Sequence, residues 1–311
     1  MSLAFVFPGQ GSQSVGMLEA LAEAEPLIAE TFAEASRALG YDLWTLTQQG
    51  PEADLNATHK TQPAMLAAGV AVWRVWEAAR GERPVALAGH SLGEFTALVC
   101  AGAIEFDAAL RLVEYRGRLM QAAVPEGEGA MAAILGMDND AVRAVCTEVA
   151  GQEIVEAVNF NAPGQVVIAG HATAVARAID EALARGAKRA VILPVSVPSH
   201  CALMRDAAER LAAKLEEVDL KPPTITILHN VDASEHLQPG AIRDALAKQL
   251  YRPVLWVDSV EALVSRGVDR IIECGPGKVL QALVKRIDRS LQVSAIYDSR
   301  TLALNTDHVH G

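Results

Sequence analysis

Ser91, His200 and Arg116 are the residues of this 311-residue chain whose types and settings could do chemistry together. Ser91 lies in Gly89-His90-Ser91-Leu92-Gly93, after the apolar run Val85 to Ala88 and before Glu94 to Ala101, which has helical character. Strand, tight turn and helix is the setting of a nucleophile elbow. The two glycines leave room at the turn, so a serine hydroxyl stands clear of the sheet and the N–H of Leu92 points toward a developing oxyanion. The bare pattern is also that of a glycine-rich connecting turn. A second oxyanion N–H could come from Gln10, in Pro8-Gly9-Gln10-Gly11-Ser12-Gln13, just past a strand end where open α/β sheets place their sites. That loop lacks a Walker lysine and reads equally as a plain turn.

His200 ends Val195-Ser196-Val197-Pro198-Ser199-His200, at a domain junction and directly before an expected helix from Cys201 to Glu216. Other histidines are less well placed. His90 adjoins Ser91 and reaches its hydroxyl poorly, His59 and His236 lie in polar, loop-like stretches, and His308 and His310 lie in a polar tail expected to fray from Asn305 to Gly311. His200 reads either as a base or as a helix-start residue with a structural hydrogen bond. Arg116 stands out by periodicity. In an expected helix from Phe106 to Ala123, it shares one stripe with Ala109, Leu112, Leu119 and Ala123, whereas Arg111 and Arg118 point elsewhere. A guanidinium on an apolar face is costly unless paired, so either a structural carboxylate meets it or it awaits an anionic ligand.

These residues need a scaffold, and the sequence supplies an α/β one. Leu3 to Phe7 reads as a strand buried on both faces. Helical periodicity covers Gly16 to Leu39 with a break at Pro26, and Pro63 opens an expected helix whose stretch Ala64 to Trp76 is apolar almost all round. From Gly129 to Pro194 the expected order is β-α-β-β-α-β, that of a ferredoxin-like unit. It is Met131–Leu135, Asn139–Val149, Ile154–Val158, Val166–Ala169, Ala172–Arg185 and Ala190–Leu193. We take residues 127–196 as a small subdomain inserted in a larger one of residues 1–126 and 197–311, with Gly127-Glu128-Gly129 and Pro194 to Pro198 as hinges. The α/β alternation then resumes: strand Ile225–Asn230, helices Ala241–Gln249 and Ser259–Arg266, strand Arg270–Glu273 and helix Lys278–Ile287.

Composition bounds the function. The chain is 51% hydrophobic, enough for a large core, and its net charge of -11 argues against a nucleic-acid partner. Four cysteines lie far apart without C-x-x-C spacing, so neither a disulfide framework nor a metal site is expected. No basic leader or membrane-length apolar stretch stands out, and a cytoplasmic protein with no membrane association is expected.

The chain resembles the bacterial malonyl-CoA:acyl carrier protein transacylases from Phe5 to about Ile287. The motifs that carry the likeness are Phe7-Pro8-Gly9-Gln10-Gly11-Ser12-Gln13, Gly89-His90-Ser91-Leu92-Gly93-Glu94, Tyr115-Arg116-Gly117, Asn159 to Gln165, Val197-Pro198-Ser199-His200 and Gly275-Pro276-Gly277-Lys278. The resemblance implies an α/β-hydrolase-like large subdomain with a parallel sheet, an inserted ferredoxin-like subdomain, and a site between them. It also implies Ser91 as nucleophile, His200 as base, oxyanion N–H groups from Gln10 and Leu92, and Arg116 as the ligand of the malonyl carboxylate. Gln249 is implied to orient His200 through its main-chain carbonyl, giving a dyad with no carboxylate partner. No cofactor is implied; the substrates are malonyl-CoA and holo acyl carrier protein. His229-Asn230 departs from the asparagine pair common in the family. The other reading of the elbow and dyad is a serine hydrolase or thioesterase, for which a buried cation at position 116 has little use. An acidic carrier protein would need local cations here, and Lys188-Arg189 and Lys278, Lys285 and Arg286 are the clusters that could supply them.

Overall fold

Strand β1 (Leu3–Phe7) is buried at all five positions, and the alternation of its side chains divides the core in two. In this computed structural model, which describes residues 2–195 and 197–306, Leu3, Phe5 and Phe7 pack with Trp73 and Trp76 of helix Thr58–Ala78. Ala4 and Val6 pack on the other face against Trp256, Val260, Leu280 and Val284. Such two-sided burial requires helices on both faces of a parallel sheet. β1 pairs in parallel with β2 (Ala86–Gly89) and with the later strand Arg270–Cys274.

The second sheet follows the expected order, beginning with β3 (Gly129–Leu135), β4 (Val155–Ala162), β5 (Gln165–His171) and β6 (Arg189–Ile192). Its spatial order is β4-β5-β3-β6 and its pairs are antiparallel. Helices Asn139–Val149 and Ala172–Ala184 cover one face. The other face buries Met131, Val158, Val167 and Ala169 against Cys201. The chain then returns to the parallel sheet through β7 (Thr226–Leu228), β8 (Arg270–Cys274) and β9 (Gln292–Ile296), in the order β7-β2-β1-β8-β9. Val254 and Leu255 tie the sheets together: Val254 N–H donates to Val158 O at 2.8 Å, its carbonyl accepts from Phe160 N at 3.0 Å, and Leu255 N–H donates to Asn230 O, just past β7, at 2.9 Å.

Several expectations need correction. Helix Thr58–Ala78 starts five residues before Pro63, which sits just past its first turn, where a proline forfeits the bond to the carbonyl four residues back and crowds that carbonyl with its ring. His59 is therefore helical, with N and Nδ1 both meeting Gln121 Oε1. No helix follows His200 directly, because Cys201 is extended; a 3-10 turn, Ala202–Met204, leads into helix Arg205–Leu215. Lys278 is the N-cap of helix Val279–Ile287 rather than part of its face. Asn305 and Thr306 end a helix, Ser299–Thr306, anchored by Leu302 and by Asn305 Oδ1 accepting from Ser294 Oγ. His308 and His310 lie outside the described residues. Helix Leu43–Gln49 and β9 had no expected counterpart.

Candidate active site

The elbow after β2 forms because its glycines have no side chains. A Cβ on Gly89 would lie 1.9 Å from the Gly93 carbonyl carbon, and one on Gly93 would lie 2.0 Å from Phe7 O. Ser91 between them takes a φ of 50°, unfavourable for a residue with a Cβ, and is held there by its N–H donating to Asn230 Oδ1 at 2.7 Å. Asn230 Nδ2 donates to Gly89 O at 2.6 Å, so one amide clamps both sides of the turn.

His200 also has a positive φ, 66°, fixed by its N–H donating to Leu250 O. Its Nε2 lies 2.8 Å from Ser91 Oγ, and its Nδ1 lies 2.6 Å from Gln249 O. A carbonyl only accepts, so Nδ1 carries the proton and Nε2 is free to accept one from the serine. Burial, and then the neighbouring Arg116 charge, lower the His200 pKa to about 3. The ring is neutral at physiological pH.

Arg116 is 1% exposed. The structural carboxylate is not seen: among the described residues no carboxylate lies in salt-bridge contact with it, and neutral oxygens hold it instead. Nη1 donates to Gln62 Oε1 at 2.7 Å, and Nη2 to Gln249 Oε1 at 2.9 Å and Ser91 Oγ at 3.2 Å. Its buried Nε has no partner among the described residues. Desolvation pulls its pKa down to about 10, opposed by Glu94, so the side chain stays cationic at neutral pH with unused donors.

A cleft of about 180 Å³ is lined by Ser91, His200, Arg116, Gln10 and Leu92, with Met131 and Val167 from the smaller sheet. It has room for about six waters, the size of a short acyl group. The Gln10 loop lies against the elbow because Gly9 packs on the His90 carbonyl. Among the described residues the Gln10 and Leu92 N–H groups have no hydrogen-bond acceptor, leaving both available to an oxyanion. Gln249 is fully buried beneath His200 rather than in the cleft wall. His90 turns away from Ser91 to meet Asn161 Oδ1 at 2.8 Å.

Sequence reasoning passed over Glu94, Asn230, Gln62 and the amide of Gln249. Two signals were present: a lone carboxylate in the apolar helix Gly93–Cys100, and a lone Gln beside the all-apolar stretch of helix Thr58–Ala78. Lys188 and Arg286, one from each basic cluster, lie about the β4–β5 turn, whereas Lys278 Nζ lies 4.6 Å over the Tyr297 ring. Arg286 donates to Gln165 Oε1 and Pro163 O in the β4–β5 turn. Gly136, against which the Lys188 stem lies, donates its N–H to Gly164 O in that turn.

Comparison with known proteins gives the family. The acyl transferase domain model matches residues 4–304. A malonyl CoA-acyl carrier protein transacylase from Salmonella typhimurium is 57% identical over 300 residues, covering 96% of this chain and 97% of that protein. The chain belongs to the malonyl CoA-acyl carrier protein transacylase family. The family's transacylase from Bacillus subtilis is 43% identical, covering 97% of this chain and 95% of its own. Among solved structures, a malonyl-transacylase in complex with its type II PKS acyl-carrier protein superposes with a TM-score of 0.98. It is 55% identical and covers 99% of this chain and 100% of that one. The Coxiella burnetii transacylase of the family also superposes at 0.98, with 47% identity, covering 100% of this chain and 98% of that one. The α/β fold with its parallel and antiparallel sheets is thus that of the family.

Proposed function

We propose that this protein moves the malonyl group of malonyl-CoA to the phosphopantetheine thiol of acyl carrier protein, through a malonyl ester on Ser91. The observation that carries the reading is a neutral His200 paired with Ser91 beside a buried Arg116 that still has free donors. Ser91 Oγ attacks the thioester carbonyl and passes its proton to His200 Nε2. The tetrahedral oxyanion is held by the N–H groups of Gln10 and Leu92, and the malonyl carboxylate by Arg116. The tetrahedral intermediate collapses, the C–S bond breaks, and the coenzyme sulfur leaves with the proton from His200. In the second half-reaction the carrier thiol gives its proton to His200 and attacks the ester, and Ser91 Oγ recovers the proton as it departs. These steps call on no cofactor.

Residues 127–196 act as the subdomain that walls the cleft and excludes water while the ester persists. The carrier protein docks near Lys188, Arg189, Lys278, Lys285 and Arg286. The setting is the cytoplasm; among the described residues no helix is long and apolar enough to cross a membrane. A hydrolase of neutral acyl chains would gain nothing from Arg116. The deciding experiment follows malonyl-CoA consumption with and without holo acyl carrier protein. Transfer supports the proposal, and release of free malonate at the same rate without the carrier would overturn it.

A further inference from the structure

Glu94 is sealed inside the molecule, in the first turn of the helix after Ser91, and touches no group that bonds to substrate in the proposed reaction. It nevertheless ties the site together. Oε1 accepts from His229 Nδ1 at 2.8 Å, and Oε2 accepts from Asn230 N and from Gln249 Nε2, both at 2.9 Å. An ionised carboxylate can only accept, so the part of the Gln249 amide that faces it must be the NH2. The Ser91 carbonyl takes the same NH2 at 3.0 Å. The amide oxygen therefore points the other way, onto Arg116 Nη2. Turned over, the amide would set donor against guanidinium and oxygen against carboxylate.

We infer that Glu94 is a positioning residue for acyl-group selection: by fixing the orientation of the Gln249 amide it aims the Arg116 guanidinium, and so sets the preference for acyl groups ending in a carboxylate. The inference rests on the proposed role of Arg116. An amide between the two charges has a physical advantage over direct contact. A carboxylate touching Arg116 would occupy the guanidinium fork that a substrate carboxylate needs. Placed one amide away, Glu94 still offsets part of the cost of burying the cation while the remaining donors stay free. Through Asn230, the same carboxylate also supports the residue that clamps Ser91 N, so nucleophile and cation share one frame. His229 holds the other oxygen and is itself fully buried, so Glu94 has no route by which to turn away.

The test is the ratio of kcat/KM for malonyl-CoA over acetyl-CoA, in which general damage to the elbow cancels. In Glu94→Gln the carboxylate charge is lost and the new amide can set its own NH2 against that of Gln249, so the ratio is expected to fall about tenfold, the worth of a charged hydrogen bond. Gln249→Met removes the amide but keeps the main-chain carbonyl under His200, and is expected to lower the ratio alike. Because Glu94 acts through that amide, the double variant should show a ratio no lower than Gln249→Met alone. Losses that multiply in the double variant, or a wild-type ratio in Glu94→Gln, would overturn the inference. Should Glu94→Gln not fold, an unchanged ratio in Gln249→Met overturns it unaided. Wild-type protein with no malonyl preference would instead overturn the role of Arg116, and with it the function; a preference lost in Arg116→Ala but intact in both other variants overturns only the role of Glu94.

Discussion

Arg116 Nη2 lies 3.2 Å from Ser91 Oγ, so a buried cation touches the oxygen proposed to attack the substrate. In the proposed reaction one guanidinium thus serves two ends: it binds the acyl carboxylate and it stabilises negative charge on the nucleophile. Arg116→Ala should therefore lose more malonyl transfer than acetyl transfer, yet lower both. The selective part is about 1.5–3 kcal/mol for the charged hydrogen bonds, or roughly 10- to 150-fold in relative kcat/KM. Steady-state rates with the two thioesters check this, and an unchanged ratio would make Arg116 a structural cation.

The charge of Arg116 also shapes the pH profile. Burial and Arg116 together hold His200 at about 3, below the ordinary histidine value, so Nε2 stays able to accept a proton well into the acid range. In the free enzyme the acid limb of kcat/KM should lie below the range of an unperturbed histidine. A bound malonyl carboxylate cancels the second of these causes, so the limb of single-turnover acylation at saturating malonyl-CoA should move to higher pH. Stability follows the same shift: the His200 contribution is intact above the unfolded value near 6.5 and is lost as pH falls toward about 3, because the unfolded chain binds a proton that the folded one refuses. Coincident limbs at low and saturating substrate would contradict the electrostatic account.

What the sequence disclosed and what it withheld divide along a physical line. Ser91, His200 and Arg116 were legible because each breaks or completes a local pattern: a glycine-flanked turn, a histidine at a junction, a charge on an apolar stripe. The strand buried on both faces and the β-α-β-β-α-β order were legible from periodicity for the same reason. Glu94, Asn230 and Gln62 act through contacts between residues far apart in the chain, such as Asn230 Oδ1 on Ser91 N, 139 positions away, and no window of sequence carries such a contact. The start of helix Thr58–Ala78 was misplaced because Pro63 favours a first turn locally, while packing of Thr58 and Thr61 extends the helix behind it. β9 was missed as a short strand whose outer positions are polar.

Asn230→Ala tests the clamp on the elbow. Losing an acceptor for a buried N–H and a donor to Gly89 O costs about 1–3 kcal/mol for each group left unpaired. Ser91 would then be free to leave its strained φ. We expect a lower melting temperature and slower acylation by malonyl-CoA and acetyl-CoA in equal proportion, since Arg116 keeps its own partners. A selective loss of malonyl transfer would show instead that Asn230 acts on the cation.

Lys285 tests the docking proposal. It is exposed on helix Val279–Ile287, whereas Arg286 is engaged with the β4–β5 turn. Lys285→Glu should slow transfer to an acidic carrier protein and flatten its salt dependence, because rim charges act mainly on encounter. Acylation by malonyl-CoA should change little. Equal losses in the two half-reactions would mean that this cation serves the coenzyme.

The central claim is a malonyl group carried on Ser91. Intact-protein and peptide mass spectrometry after brief exposure to malonyl-CoA, without carrier protein, tests it most directly. The account predicts one added malonyl group on the peptide containing Ser91, its disappearance when holo acyl carrier protein is supplied, and none on folded Ser91→Ala. A malonyl group on another residue, or unchanged transfer by Ser91→Ala, would contradict it.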